Sequence, residues 1–430
     1  MKLNRIYQGD WIEVMREWPD DFIQCCITSP PYWGLRDYGV EGQLGLEKTP
    51  EEYIEKMVAG FREVRRVLRP DGTLWLNMGD SYAGSPCGSF NGGGFKDVSA
   101  RNGGRDMSGV ETSGRMDKLK ASGLKPKDLC GIPWRVALAL QADGVVDMKA
   151  VNQIERIRSE LIHEYQDPYT KIPNRVLKVL DRLQKEYEEA KGDSWYLRMD
   201  NIWHKPNPMP ESCTDRPTKS HEYIFLLTKS AKYFYDADAV REMMKPESVS
   251  RYNYPFGGKK SEELRRTDNQ TAIVGDRQPP AGRNLRSVWT IPTQSCKFSH
   301  FATFPEKLVN RCILAGTAET ACGICGTPFK RMVEKTNRPD GNRPHGTHYE
   351  KDRGDSKQLD KVLTEVKTLG FFPACEHNDN TGKCIVFDPF SGTNTVGYRA
   401  QEMGRGWIGI ELKTEYKDFG ENRVAQQNCI

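Results

Sequence analysis

Apolar residues alternate over residues 3–7, recur at helical spacing over 11–17 and form a second run over 22–28. A period that switches from two to 3.6 and back predicts strand, helix, strand. The second run leads into Ser29-Pro30-Pro31-Tyr32, and two successive prolines, with no N–H to give to a ladder, end the strand there. Thr49-Pro50-Glu51-Glu52 reads as a capping box with proline at the first helical position, and Tyr53, Met57, Phe61, Val64 and Leu68 follow at helical spacing. Arg69-Pro70-Asp71-Gly72 predicts a turn and 73–77 a buried strand, which completes a β-α-β unit of parallel type.

Residues 84–123 hold ten glycines and little apolar periodicity, the mark of a long mobile loop. From Ile132 a helical pattern resumes through Val136, Leu138 and Leu140 and ends at Ala142-Asp143-Gly144. Residues 145–194 repeat apolar positions at helical spacing on either side of Asp167-Pro168, which predicts a helical hairpin with charged outer faces. Strand-like pieces return at 195–198, 202–204 and 223–228, with 233–235 after a turn. Residues 241–290 are polar and basic. Phe304-Pro305 starts another helix with Leu308, Val309, Cys312 and Ile313 on one face and Gly316 at its end. Residues 335–365 are very polar and predict partial disorder. The last unit is strand 385–387, a glycine-bearing turn, a helix, and strand 407–410 ending at Glu411.

At 430 residues the chain has room for one large α/β core with additions. An apolar fraction of 37% and a charged fraction of 28% are those of a soluble globular protein. No segment approaches the ~18 uninterrupted apolar residues of a membrane span, and the opening residues show no export signal, so a cytoplasmic protein without membrane contact is expected. Its twelve cysteines are then expected as reduced thiols, and only Cys322-Gly-Ile-Cys325 has the spacing of metal ligands. The net charge of +4 is less informative than its distribution. Residues 84–127 hold eight Lys/Arg against four Asp/Glu and residues 241–300 eleven against six, an excess of +9 that leaves the remainder at −5. Such clusters suit a polyanion.

Two motifs carry chemistry. Asp388-Pro389-Phe390-Ser391-Gly392-Thr393-Asn394-Thr395 lies between a strand and a helix, with Glu411 at the tip of the next strand. This order predicts backbone N–H groups and a helix N-terminus at the carboxyl edge of a parallel sheet, and an acid suited to a ribose diol. In Thr28-Ser29-Pro30-Pro31-Tyr32 the prolines hold the Ser29 and Pro30 carbonyls extended and free to accept, and an aromatic ring follows on which a planar base could stack.

Together these motifs resemble the DNA amino-methyltransferases, in the order of parts of the class called beta: a [Ser/Asp]-Pro-Pro-Tyr motif first, target recognition next, and Asp-Pro-Phe-x-Gly last, here about 360 residues later. The resemblance implies catalysis by Ser29, Pro30, Pro31 and Tyr32. It implies that S-adenosylmethionine is held by Asp10 near the adenine, by Glu411 at the ribose, and by Asp388, Pro389, Phe390, Gly392, Thr393 and Thr395. Thr28, Phe301, Thr303 and Phe304 would flank the same cofactor. The fold implied is a circularly permuted Rossmann-like methyltransferase with a mixed, mostly parallel seven-stranded sheet, in which the strand at 3–7 continues the sheet beyond Glu411 and the termini lie close together. The implied organisation is a catalytic half at 1–82, a basic loop at 83–130, and a core continuation at 131–144 and 195–240. To these it adds an inserted hairpin at 145–194, a target-recognition region at 241–299, a cofactor-flanking helix at 300–320 and a cofactor-binding half at 385–430. Tyr223 to Tyr235 resembles the family's late hairpin. Residues 321–384 depart from the pattern and resemble a zinc ribbon, with Cys322, Cys325, Cys375 and His377 as ligands and Cys384 as an alternative.

The reaction implied is direct transfer to an exocyclic amine in double-stranded DNA after base flipping. Cytosine N4 is favoured because Ser heads the motif, where the adenine-N6 enzymes more often carry Asp; adenine N6 remains the alternative. A reading of another class is a DNA-binding module with a dead cofactor site, against which the intact motifs speak. Whether the chain is a monomer or a homodimer, and whether a cognate restriction enzyme accompanies it, stay open.

Overall fold

The computed structural model describes residues 2–35, 39–83, 123–144, 156, 176–179, 181–183, 194–243, 282–294, 305–337, 364–377 and 379–429. The predicted loop at 84–123, the hairpin at 145–194 and the basic segment at 241–300 thus fall largely outside the described residues.

The first half is strand β1 (Arg5–Gln8), helix α1 (Trp11–Arg16), β2 (Ile23–Thr28), α2 (Pro50–Val67) and β3 (Leu68–Met78). Then come α3 (Ile132–Ala142), β4 (Tyr196–His204), β5 (His221–Thr228), β6 (Val288–Thr290) and α4 (Glu306–Gly316). The hairpin β7 (Lys330–Asn337) and β8 (Thr364–Phe372) precedes β9 (Ile385–Asp388), α5 (Thr395–Glu402), β10 (Gly406–Glu411) and α6 (Thr414–Ala425). One sheet takes eight strands in the order β1-β10-β9-β2-β3-β5-β4-β6. It is parallel from β1 to β3, antiparallel through β5 and β4, and parallel again at β6. The expected seven strands are therefore joined by an eighth, the three-residue β6, too short to leave a readable alternation in its basic segment. Tyr233 to Tyr235 forms no strand and hence no hairpin with β5: the Phe234 N–H donates instead to the Asp71 carbonyl at 2.8 Å, and the Asp236 N–H to that of Ala315 at 2.9 Å.

β2 is buried at all six positions, as a strand covered on both faces must be. Cys26 faces the cluster formed with Trp11, Met57, Phe61 and Val136, whereas Cys25 and Ile27 face the one formed with Trp75, Val309 and Ile313. The result is a three-layer α/β/α core, with α1 to α3 on one face and α4 and α5 on the other. Thr49 caps α2 through its hydroxyl, which accepts from the Glu52 N–H at 3.2 Å, while the Glu52 carboxylate accepts from the Lys48 N–H at 3.0 Å. The predicted turn at Arg69 to Gly72 survives as a bulge: Ile23 pairs with Leu68, yet Cys25 pairs with Thr73.

The chain ends meet as the permuted order requires. β1 runs parallel to β10, the Gly9 N–H donates to the Glu411 carbonyl at 3.1 Å, and the Ile6 N–H donates to the Glu421 carboxylate in α6 at 3.2 Å. Among the described residues no helix is long and apolar enough to cross a membrane. The polar stretch around 335–365 is ordered at both ends, where Lys335 to Asn337 and Thr364 to Glu365 pair as strands; residues 338–363 lie outside the description. A charged hairpin of this kind offers no apolar alternation to read.

Candidate functional site

The carboxyl ends of β1, β9, β10 and β2 open into one cleft of about 1140 Å³, counting its mouth. Parallel strands aim their free carbonyl ends and the following helix N-termini at the same edge, which is why ligands bind there. Its lining joins Asp10 after β1, Ser29 and Pro31 after β2, Asp388 to Thr393 and Thr395 after β9, and Glu411 at the end of β10. Residues about 360 apart in sequence thus share one wall.

Each acid in this cleft is held by backbone donors. One Asp10 oxygen caps α1, accepting from the N–H groups of Ile12 at 2.9 Å and Glu13 at 3.1 Å. Glu411 accepts from the Gly392 N–H at 2.8 Å and the Lys413 N–H at 3.0 Å, and burial raises its carboxyl. Asp388 is 2% exposed. Its Oδ1 accepts from the Thr28 hydroxyl at 2.7 Å and the Phe390 N–H at 3.0 Å. Burial outweighs those two bonds and pushes the Asp388 carboxyl up to about 7. Thr28 therefore stands behind the cleft wall and positions Asp388.

The turn after β9 depends on two special backbones. Gly392 has φ +49° and Asn394 φ +56°, and the Asn394 side chain accepts from the Gly397 N–H at 3.1 Å to cap α5. Ser391 fits only because Gly409 on β10 has no side chain: a Cβ there would lie 2.1 Å from the Ser391 hydroxyl. Trp11 and Phe390 pack with tilted rings, 4.7 Å between centroids, and form the apolar floor of the cleft.

The Ser-Pro-Pro-Tyr motif sits where this cleft meets a second, polar cluster. The Tyr53 hydroxyl donates to the Pro31 carbonyl at 2.9 Å, whereas the Ser29 and Pro30 carbonyls accept from no donor among the described residues. The Tyr32 hydroxyl donates to Glu222 at 3.0 Å and lies 3.2 Å from the Ser29 hydroxyl. The Asn77 amide donates to Tyr32 at 2.9 Å, Glu222 at 3.0 Å and Ser29 at 3.3 Å, and Lys205 pairs with Glu222 from the other side. Burial alone would raise the Glu222 carboxyl; the Lys205 charge and the bonds from Asn77 and Tyr32 win and hold it below its ordinary value. Burial, then the Glu222 charge, push the Tyr32 phenol far up, so it stays a donor. Tyr32 fits beside Gly79, where a Cβ would come within 2.7 Å of its ring.

Sequence reasoning missed Asn77, Glu222 and the role of Lys205, because single polar residues inside apolar strands carry no pattern. It also missed Val40, Gly42, Gln43 and Leu44, which close one side of the cleft; the spaced glycines Gly39, Gly42 and Gly45, all at positive φ, were the available signal. Phe301, Thr303 and Phe304 lie outside the described residues.

A second group of chemistry-bearing side chains stands apart from the cleft: Cys322, Cys325, Cys375 and His377, with ligand atoms all within 4.8 Å of one another. Cys384 is not among them. It is fully buried against Ala318 and Ala321, and burial pushes its thiol up to about 12.

The DNA methylase family profile matches residues 23–322 and 379–422. The chain belongs to the DNA methylase family. Full-length relatives agree: it is 32% identical to the Type II methyltransferase M.Cfr9I of Citrobacter freundii over 98% of this chain and 88% of that one. It is also 34% identical to the Type II methyltransferase M.SfiI of Streptomyces fimbriatus over 96% and 88%. Among solved structures it is similar to the PvuII DNA methyltransferase (cytosine-N4-specific), with 15% identity, 98% and 88% coverage and a TM-score of 0.43.

Proposed function

We propose that this DNA methylase transfers the methyl group of S-adenosylmethionine to the N4 amine of a cytosine flipped out of double-stranded DNA. The observation that carries the reading is that Ser29 and Pro31 line the same cleft as Asp388, Gly392 and Glu411. The cleft suits the cofactor because its carboxylates match a ribose diol and the ammonium of the amino-acid end, its backbone N–H groups the carboxylate of that end, and its apolar floor a purine. When bound there, the cofactor supplies an electrophilic methyl group on sulfur.

The chain's own residues then have one task, to make a conjugated amine nucleophilic and aim it. The Ser29 and Pro30 carbonyls, which accept from no donor among the described residues, and the Ser29 hydroxyl accept from the amine and draw it towards tetrahedral geometry. Asn77 and the Tyr32 hydroxyl orient the Ser29 hydroxyl, and ionised Glu222 holds Tyr32 in place. The Tyr32 ring offers a stacking surface that offsets part of the few kcal/mol of base flipping. A cysteine nucleophile and a covalent enzyme–base bond have no part in this scheme: Cys25 and Cys26, nearest the motif in sequence, are buried, and burial raises both thiols.

The cytosine choice rests on Ser29, whose hydroxyl can accept from an amine while donating elsewhere, whereas an aspartate would be a stronger, acceptor-only partner. The Type II relatives support site-specific modification beside a cognate restriction enzyme. Mass spectrometry of nucleosides from DNA treated with protein and cofactor should give N4-methylcytosine. N6-methyladenine alone would transfer the assignment to the other base, and 5-methylcytosine would overturn the mechanism. In the same assay Ser29→Ala should lower kcat by about 10- to 100-fold, the loss of one strong transition-state hydrogen bond, with cofactor affinity nearly unchanged.

A further inference from the structure

Between α4 and β9 the chain leaves the core and returns, and the two turns that begin and end this excursion carry three thiols and one imidazole. The first is Cys322-Gly-Ile-Cys325-Gly326. Its Cys322 N–H donates to the Thr327 carbonyl at 3.0 Å, the Gly326 N–H to the Cys322 carbonyl at 2.8 Å, and the Cys325 N–H points at the Cys322 sulfur at 3.5 Å. Gly326 takes φ +69°, which a side chain would strain. The second turn brings Cys375 and His377, and the Ala321 N–H ties the arms together by donating to the Gly382 carbonyl at 3.0 Å. The arms press closely: a Cβ on Gly323 would fall 2.3 Å from the Thr381 hydroxyl, and one on Gly382 2.8 Å from the Ala321 carbonyl.

The four ligand atoms all lie within 4.8 Å of one another, close to the edges of ~3.3–3.8 Å that a tetrahedron with zinc bonds of ~2.0–2.3 Å requires. Three sulfurs, one nitrogen and no carboxylate select a soft, tetrahedral ion over magnesium or calcium. Four protein ligands leave no open position, the sign of a structural site.

The turn is also fastened to the core. Gln24 of β2, 3% exposed, donates to the Gly326 carbonyl at 2.7 Å and accepts from the Ile385 N–H at 2.6 Å. Arg69, in the bulge of β3, donates to the Cys325 carbonyl and to the Thr327 hydroxyl. Gln24 therefore spans the cysteine turn and the first residue of β9, whose last residue is Asp388. We propose that Cys322, Cys325, Cys375 and His377 bind one structural zinc ion that closes the excursion and, through Gln24 and Arg69, seats the start of the strand leading into the cofactor cleft.

Elemental analysis of the full chain, purified under reducing conditions without added metal, should find one zinc per molecule. Cobalt exchange should produce the absorption of a tetrahedral thiolate site with thiolate-to-metal charge transfer. Cys375→Ala should lose the metal, while Cys384→Ala should keep it. Should Cys375→Ala fail to fold, mercurial titration of the wild-type thiols gives the same information, because zinc should be released in step with the modified cysteines. Metal content near zero, stoichiometric iron, a disulfide among the three cysteines, or zinc retained after all three are modified would each overturn the site. Chelation of the metal from intact protein should speed amide exchange at both Gly326 and Ile385; faster exchange at Gly326 with Ile385 unchanged would overturn the seating of β9.

Discussion

Asp388 is an acid held near neutrality by burial, and that has a consequence for ligand binding. With its carboxyl pushed up to about 7, the free protein carries it protonated in mildly acidic solution, and a cationic ligand must drive the proton off. The folded value lies above that of an unfolded aspartate, so the neutral acid favours the fold at low pH and this contribution is lost as pH rises towards about 7. Ligand linkage runs the other way, because binding favours the carboxylate. S-adenosylmethionine affinity should rise up to about tenfold per pH unit below 7 and then level off, until the ligand's own amino group loses its proton near about 8. Calorimetry in buffers of different ionisation enthalpy should detect close to one proton released per binding event about one unit below 7, and Asp388→Asn should abolish both the release and the slope. A wild-type affinity that is flat with pH would show that Asp388 does not meet the cationic end of the cofactor.

At the scale of elements, the turn between β9 and α5 shows how tightly the cleft is drawn. Gly409 on β10 leaves the space that the Ser391 hydroxyl fills, and that hydroxyl donates to the Asp388 carbonyl at 3.1 Å. Gly409→Ala should destabilise the protein by about 1–3 kcal/mol, the cost of overpacking, and weaken cofactor binding by displacing Gly392. Adding Ser391→Gly removes both clashing atoms, so the pair should recover much of the loss in thermal unfolding; additive losses would refute the clash. Elements of this kind were legible from sequence because their signals are local: the capping box at Thr49, the strand-ending prolines, and the strand-turn-helix run from Ile385. Asn77 and Glu222 were not, since they matter only through partners up to 190 residues away in sequence, as Glu222 is from Tyr32. Nor was the reach of the cysteine turn into Gln24. β6 and the β7–β8 hairpin escaped because three residues are too few for an alternation, and a charged strand pair shows none.

At the scale of the whole molecule, the core closes without residues 145–194. The helix before them and the strand after them are already joined: the Trp195 N–H donates to the Leu140 carbonyl at 3.4 Å, and both side chains are buried in the same cluster as Phe61. Asp143, at the end of α3, pairs with Arg62 of α2 through both carboxylate oxygens, at 2.9 and 2.6 Å. Within the segment, Val176 and Leu183 are buried, yet neither belongs to the clusters that line the two faces of the sheet. Burial outside the main core is what a self-contained helical unit would show. We propose that the segment is an accessory module: a short Gly-Ser linker in its place should leave one cooperative unfolding transition, a midpoint within a few degrees of the parent and unchanged S-adenosylmethionine affinity. Loop closure supports this, since shortening a flexible connection changes its entropy only by about 0.6 kcal/mol per halving. If the module serves DNA rather than the fold, the shortened chain should keep cofactor binding while KM for DNA rises. Global unfolding or aggregation of the shortened chain would instead make the segment integral to the core.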